Sequence, residues 1–313
     1  MTKATLYVKE KNCLWKLLNL STLTITVLFS VVLSPKISLF VKEGVRLCFE
    51  AIIGSVFPFM IISDVVSHTL NFDSPGIFKN LFEKIFRING HAISVFLLGA
   101  ICGFPVGVKL AADLYRRSII TKDECERLIG FSSNMGPAFI ISGIGAALCG
   151  SIKIGLILYA ATLASAIISG FLMGIGKTAS KSTLCKEVRH FSLSESIKCA
   201  SGNTVNICGF IIFFSTVCGL LSTVIKNDFA YALILPFFEI SNAVKNVSAL
   251  TFIPRTAKFI IISFSVSFSG LSIYMQAKSF LSKEKISMKA YLKTKLISAA
   301  ISSLLMATVS SHM

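Results

Sequence analysis

Four polar side chains interrupt the long apolar runs of this chain: Glu239, Asn134, Asn242 and Gln276. A charge at the centre of a bilayer costs about 2.5–3.5 kcal/mol on insertion scales, so it has either a partner or a task there. Glu239 follows I-L-P-F-F and precedes I-S-N. It could take a cation, a proton or a solute hydroxyl, or it could be a structural carboxylate paired with Lys245 or a neighbouring amide. Asn134 and Asn242 supply donors and acceptors to a polar solute, or else cap broken helices. Asn203, Asn206 and Gln276 offer the same chemistry. Asp64 suits an interface, and Lys109 can snorkel toward one. No catalytic set accompanies these groups: there is no HExxH, no Walker loop and no GxGxxG. The four histidines are scattered. The nine cysteines form no C-x-x-C and mostly lie in apolar runs, where they behave as small hydrophobes. The expectation is a protein that is not an enzyme, with no metal, no cofactor and no disulfide framework. Transport, if it occurs, is passive, ion-coupled or driven by a partner.

The elements that position these groups are interrupted apolar segments. One interruption is G-F-P-V-G at 103–107, containing Gly103 and Pro105; the other is N-M-G-P at 134–137, containing Gly136 and Pro137. Proline removes a helical hydrogen bond, and glycine loosens the backbone. Lipid offers freed backbone groups no substitute, so such breaks survive only when packed in protein or lining a wet cavity. Two of them so close together point to one shared polar site near the membrane centre, with both breaks facing each other. The alternative is a pair of proline-kinked helices that simply pack well.

Composition agrees with a membrane setting. With 54% hydrophobic and 15% charged residues, the 313-residue chain sits among integral membrane proteins. Its polar connections are too short to hold a soluble domain, so 1–313 reads as one membrane domain. The net charge of +16 resides in the connections, where the positive-inside rule and anionic headgroups account for it without nucleic acid. The lipid bilayer is thus the first expected partner. The apolar run 14–33 follows several lysines and lacks a small-residue cleavage site, so it reads as a retained first transmembrane helix after a cytoplasmic tail, 1–13.

Hydropathy predicts an all-α, polytopic helical bundle with broken or re-entrant helices. The predicted helices lie at 14–33, 46–66, 92–112, 129–150, 152–175, 203–225, 229–244, 258–277 and 292–309, with an interfacial helix over 77–90. Thr121-x-x-Glu124 and Ser192-x-x-Glu195 have capping-box spacing. An internal repeat is expected, with one gate-like half at 43–175 and a second at 192–309. Leu114, Ile119 and Lys122 stand at the same offsets from Gly103 as Leu281, Ile286 and Lys289 from Gly270. The basic stretches 177–198 and 278–295 should share the cytoplasmic face, which requires that 229–250 not cross the membrane.

The central stretch also carries a family likeness. G-F-P-V-G, D-L-Y, I-T-K-D-E-C-E-R-L and S-N-M-G-P-A-F-I-I together resemble the signature of the YlbJ-type sporulation integral membrane proteins, within the wider nucleoside-recognition or gate-domain group. The runs at 49–64, 236–243 and 268–277 resemble gate segments, and Ala243 stands where the group tends to have glycine. The resemblance implies a multi-pass protein of the cell, spore or forespore membrane. The broken helices and intramembrane polar residues point to a transporter or permease for a small polar solute, with Glu239, Asn134, Asn242, Gly103, Pro105, Gly136, Pro137 and Gln276 at its binding site, and the resemblance adds a setting in spore cortex formation. The alternative is a non-transporting scaffold for cortex assembly. Either could work as a homo-oligomer or with other spore membrane proteins.

Overall fold

A computed structural model describes residues 33–69, 76–180, 192–282 and 284–310. The tail at 1–13 and the helix expected at 14–33 lie outside the described residues. Those residues are helical, with no strand among them.

The chain enters as one continuous rod: α1 (Ser34–Leu47), a π-helical segment (Cys48–Ile53) and α2 (Gly54–Thr69). Helix therefore begins well before the expected residue 46. Pro35 starts it, where a missing N–H costs nothing. Pro58 sits one turn into α2, after the π-helical segment. Its missing N–H frees the Gly54 carbonyl at the start of α2.

The amphipathic helix α3 (Gly76–Phe86) leads through a 3-10 turn (Gly90–Ala92) into α4 (Ile93–Cys102), and the pair is bent by 99°. The bend has named causes. Arg127 donates from its guanidinium to the carbonyls of Phe86 and Arg87, each at 2.8 Å, closing the end of α3. Glu124 accepts the Asn89 N–H at 2.8 Å. Phe82, Phe86, Phe96 and Phe131 stack inside the bend.

After the first break come α5 (Val106–Arg116) and α6 (Lys122–Ser132). Helix α6 starts with the expected capping box: Thr121 accepts from the Glu124 N–H, and Glu124 accepts from the Thr121 N–H. The segment expected at 129–150 is thus divided. Helix α6 stops at Ser132, the backbone opens over 133–137, and a π-helical segment resumes at Ala138–Leu148. Helix α7 spans Ile152–Gly174. Helix α8 (Leu193–Val224) starts ten residues before the expected 203, because Ser192 caps it by accepting from the Glu195 N–H. Lys198 therefore belongs to a helix, not to a loop.

The region 229–250 is broken. Helix α9 (Asp228–Ile234) tightens into a 3-10 turn at Leu235–Phe237, and α10 (Ile240–Ala249) restarts after Glu239. The segment expected as one helix at 258–277 is also broken. Helix α11 (Arg255–Phe268) ends at Ser269 and α12 (Gly270–Phe280) follows, with φ of 72° at Ser269 and 65° at Gly270. Helix α13 (Lys289–Ser310) closes the chain.

Four described helices are long and apolar enough to cross a bilayer: Ile152–Gly174, Leu193–Val224, Arg255–Phe280 and Lys289–Ser310. The bent pair α3–α4 would add one more. Large side chains such as Phe49, Val205, Phe213 and Leu304 face outward, while serines fill the interior. Ser169 and Ser298 share a hydrogen bond between α7 and α13 at 2.7 Å, and Ser263 and Ser302 share one between α11 and α13 at 2.5 Å. Apolar exterior and hydroxyl-lined helix contacts are the arrangement for lipid, where small polar residues join helices. The chain is a multi-pass membrane protein.

The rod α1–α2 packs along α8, and α4–α7 with α11–α13 form the larger body. One end of that body gathers the polar turns. Lys177 meets Asp123 at 2.9 Å, Ser180 donates to Glu124, Arg116 meets Glu284 at 2.5 Å, and the Ser287 N–H donates to Glu126 at 2.8 Å. The start of the 177–198 stretch and the α12–α13 turn thus touch the same α5–α6 corner.

Candidate functional site

The site begins with two pairs of breaks. In the first, the Phe104 N–H donates to the Asn134 carbonyl at 2.7 Å, so the interruption at 103–105 is hydrogen-bonded to the one at 133–137. Gly103 has φ of 78°, in the region that favours glycine, and a Cβ there would lie 2.5 Å from the Gly136 nitrogen. The breaks therefore face each other, backbone against backbone.

The second pair is built alike. The Ser272 N–H, one turn into α12, donates to the Phe238 carbonyl at 2.9 Å. Gly270, at φ of 65°, comes so close that a Cβ would sit 3.0 Å from that same carbonyl oxygen. The break in α11–α12 thus grips the break between α9 and α10.

Between the two pairs and the rod lies a cavity with about 70 Å³ open to the centre of a water molecule. That exceeds the space one ordered water needs, about 10–15 Å³. Gly136 and Pro137 line it from the first pair, Glu239 and Ser241 from the second, Gln276 from α12 and Phe59 from α2. Its wall is otherwise apolar, so the few polar groups have a large electrostatic effect there.

Glu239 is buried and precedes α10 as its N-cap. Oε1 accepts from the Ser241 N–H at 3.0 Å, and Oε2 accepts from the Asn242 N–H and from its Nδ2, both at 2.8 Å. A carboxylate suits a helix N-terminus because it satisfies orphan donors and opposes the positive end of the dipole. Lys245 is not its partner; that ammonium reaches Glu43 on α1 at 2.6 Å. Among the described residues no cation pairs with Glu239.

Gln276 has no exposed surface. Its Nε2 donates to Ser272 Oγ at 3.0 Å, while its Oε1, also buried, has no hydrogen-bond partner among the described residues. A buried orphan acceptor costs about 1–3 kcal/mol and calls for a donor. Glu239 and Gln276 together make the cavity's polar side rich in acceptors.

The asparagines stand apart from the lining. Asn242 spans Glu239 and Ser215, donating to Ser215 Oγ on α8 at 3.0 Å. Asn134 donates to the Phe131 carbonyl at 2.7 Å, and its Oδ1 accepts from Lys295 at 3.4 Å. Gly103 and Pro105 do not line the cavity, although Phe104 between them does. Asn206 bonds Ser279 at 2.9 Å, and the half-buried Asn203 donates to Cys199 Sγ at 3.4 Å, so neither joins the lining. Lys109 does not simply snorkel: it pairs with Asp64 at 2.6 Å, and Asp64 also accepts from Ser196 Oγ.

Sequence reasoning missed Lys295. It was counted with the basic stretch 278–295 although it falls in the helix expected at 292–309, and in α13 it is only 1% exposed. Its ammonium donates to the Ser133 carbonyl as well as to Asn134, and its Nζ lies 5.8 Å from the centre of the Tyr291 ring. Ser133 ends α6, so a cation from another helix caps the negative end of that dipole where the first break opens. A signal was present: Tyr291, Thr294, Lys295, Ser298 and Ser302 recur at helical spacing along one buried face. Also unnoticed was the likeness of F-P-F-M-I-I-S-D at 57–64 to L-P-F-F-E-I-S-N at 235–242, which aligns Glu239 with Ile61.

No family model matches the chain, and no solved structure matches it. The chain is 25% identical over 299 aligned residues to the sporulation integral membrane protein YlbJ of Bacillus subtilis (strain 168). The match covers 82% of this chain and 73% of that protein. It supports the YlbJ-type resemblance carried by the central motifs.

Proposed function

We propose that this protein acts in sporulation as a permease for a small polar solute, in a cell or forespore membrane. The observation that carries the reading is the cavity where paired helix breaks bring Glu239 and the unpaired Gln276 oxygen together. Discontinuous helices of this kind expose backbone dipoles at mid-membrane and suit alternating access. The similarity to a protein named for sporulation supplies the biological setting. A role in cortex formation is what the family resemblance implies. The polar end at the α5–α6 corner is cytoplasmic on this reading, and the protein performs no catalytic step.

The test is Glu239→Gln as the only copy in a spore-former, with cortex formation and membrane abundance measured together. The amide retains an oxygen for the α10 N–H groups but carries neither charge nor a transferable proton. Loss of cortex at normal abundance is the expected result. Normal cortex at normal abundance would remove the charge from the mechanism.

One observation favours a second reading, a scaffold for cortex assembly. Both Glu239 oxygens are already engaged by α10, so the carboxylate could be structural. On that reading Glu239→Gln leaves cortex intact, while Glu239→Ala lowers abundance by leaving the Ser241 and Asn242 N–H groups without an acceptor.

A further inference from the structure

A second cleft lies away from the central cavity, where α3 meets the end of α7. It measures about 370 Å³ and is walled by Asn80, Glu83, Lys84, Arg87, Lys177 and Thr178. Three basic side chains face one acidic one. Lys177 is shared with Asp123, but among the described residues neither Lys84 nor Arg87 is paired with a carboxylate. Two unneutralised cations therefore border a concave polar surface.

The helix that carries them has a second face. Phe82 and Phe86 anchor α3 to the core, while Ile77, Phe78 and Leu81 are outward and exposed, Ile77 at 75%. Helical geometry places the exposed apolar residues on an arc beside Lys84, with Glu83 further round. In water such a stripe would be unfavourable. In a bilayer it sits among acyl chains, with Lys84 and Arg87 at headgroup depth. The 99° bend between α3 and α4 suits a helix lying along the interface before the chain turns inward.

We propose that this cleft is a binding site for the headgroup of an anionic phospholipid, whose acyl chains lie along Ile77, Phe78 and Leu81. The lipid phosphate is drawn to Lys84 and Arg87, and Lys177 closes the far wall. The site is on the same end as the α5–α6 corner and its basic turns. If that end is cytoplasmic, as the positive-inside rule requires, it faces the leaflet whose anionic lipids bind basic pockets between membrane helices. The inference is independent of whether the central cavity carries a solute.

The experiment uses the full chain reconstituted with phosphatidylcholine and phosphatidylglycerol, then released for native mass spectrometry of retained lipid. Wild type should retain phosphatidylglycerol in preference to phosphatidylcholine. Lys84→Gln and Arg87→Gln should each weaken that retention about fivefold, the effect of one basic charge near an anionic surface. Lys122→Gln, an exposed lysine on the same end but outside the cleft, should change nothing. Leu81→Ser should also weaken retention, because a lipid needs the apolar stripe and a soluble phosphate does not. Thermal melting of each variant separates loss of lipid from loss of fold. Equal retention by wild type and the Lys84→Gln/Arg87→Gln double variant would overturn the site. An equal effect of Lys122→Gln would reduce it to general surface charge. Displacement of the lipid by glycerol phosphate, with Leu81→Ser silent, would assign the cleft to a soluble phosphate and overturn the lipid reading.

Discussion

Gly103→Ala should damage this protein far more than its single methyl suggests. The residue has φ of 78°, and the added Cβ would lie 2.5 Å from the Gly136 nitrogen and 2.8 Å from its Cα. Both neighbours are backbone, so no side chain can swing aside. With ψ of −172° the residue is in an extended, positive-φ conformation almost confined to glycine, which costs an alanine about 1–3 kcal/mol, and overpacking a tight contact costs about 1–3 kcal/mol more. The combined penalty is roughly 2–6 kcal/mol if the backbone stays in place. If it yields, the Phe104-to-Asn134 hydrogen bond is lost as the breaks separate. Gly209→Ala in α8 is the matched control. A Cβ there meets nothing within 4 Å, and alanine in a helix gains about 0.5–1 kcal/mol over glycine. Gly270→Ala should fall between, since its φ is 65° but its nearest contact is 3.0 Å. The assay is thermal unfolding of the purified chain in one detergent, where each kcal/mol shifts the midpoint by about 2–4 °C for chains of 150–250 residues. The order of midpoints should be Gly209→Ala, wild type, Gly270→Ala, Gly103→Ala. A Gly103→Ala protein melting with wild type would refute the backbone contact between the two breaks.

Cysteines placed at 179 and 285 on a cysteine-free background should be labelled from the same side of the membrane; labelling from opposite sides would mean that 228–249 crosses. Burial alone would raise the Glu124 carboxyl, but donation from Ser180, Thr121 and Asn89 outweighs it and holds the pKa below 4.5. A depressed carboxylate contributes stability above its unfolded value that is lost as pH falls through the folded one. The melting advantage of wild type over Glu124→Gln should therefore be complete at neutral pH and shrink below pH 4.5; a constant gap would refute the linkage. Lys295→Met should leave the midpoint within a few degrees, because relief of a desolvated ammonium offsets its hydrogen bonds, each about 1.5–3 kcal/mol. Sporulation should nevertheless fall as Asn134 is released, and unchanged sporulation would make Lys295 a passive cap.

What was legible in the sequence depended on which physical rule each residue obeyed. Gly103 with Pro105 and Gly136 with Pro137 announce breaks because their backbone chemistry is local. The Thr121 and Ser192 caps are local as well, and both form. The break at Ser269 was legible only through Gly270 beside it, since a serine at φ of 72° has no such signature. Helix α1 was missed because Lys36, Lys42, Glu43 and Arg46 lower its hydropathy, although packing along α8 sustains it. Lys295 was misplaced for the opposite reason. Counting charges assigns a lysine near a basic loop to water, while the hydroxyl-bearing face around it marks a buried stripe. For the site residues, sequence could not separate Glu239 and Gln276, which line the cavity, from Asn134 and Asn242, which brace the breaks. That distinction depends on which way each side chain leaves its helix.

The two pairs of breaks also explain why the order of elements runs in parallel without the parts being equal. Gly103 and Gly270 both open their helices with positive φ, and α6 and α13 begin at corresponding positions, Lys122 and Lys289. Beyond that point the two regions diverge. Helix α6 stops at Ser132 and supplies the first break's partner, whereas α13 runs unbroken to Ser310. The second break must take its partner from upstream, and L-P-F-F-E supplies it at Phe238. The unbroken α13 has its own task, since it carries Lys295 across to the end of α6. The continuous helix of one region thus holds open the interruption of the other. Among the described residues the one carboxylate on the cavity wall appears where the Leu-Pro-Phe run at 235–237 breaks, at a position that aligns with Ile61 in the uninterrupted run at 57–64. Break and charge occur together because a helix restarting inside the membrane needs an acceptor for its first N–H groups, and Glu239 meets that need while facing the cavity.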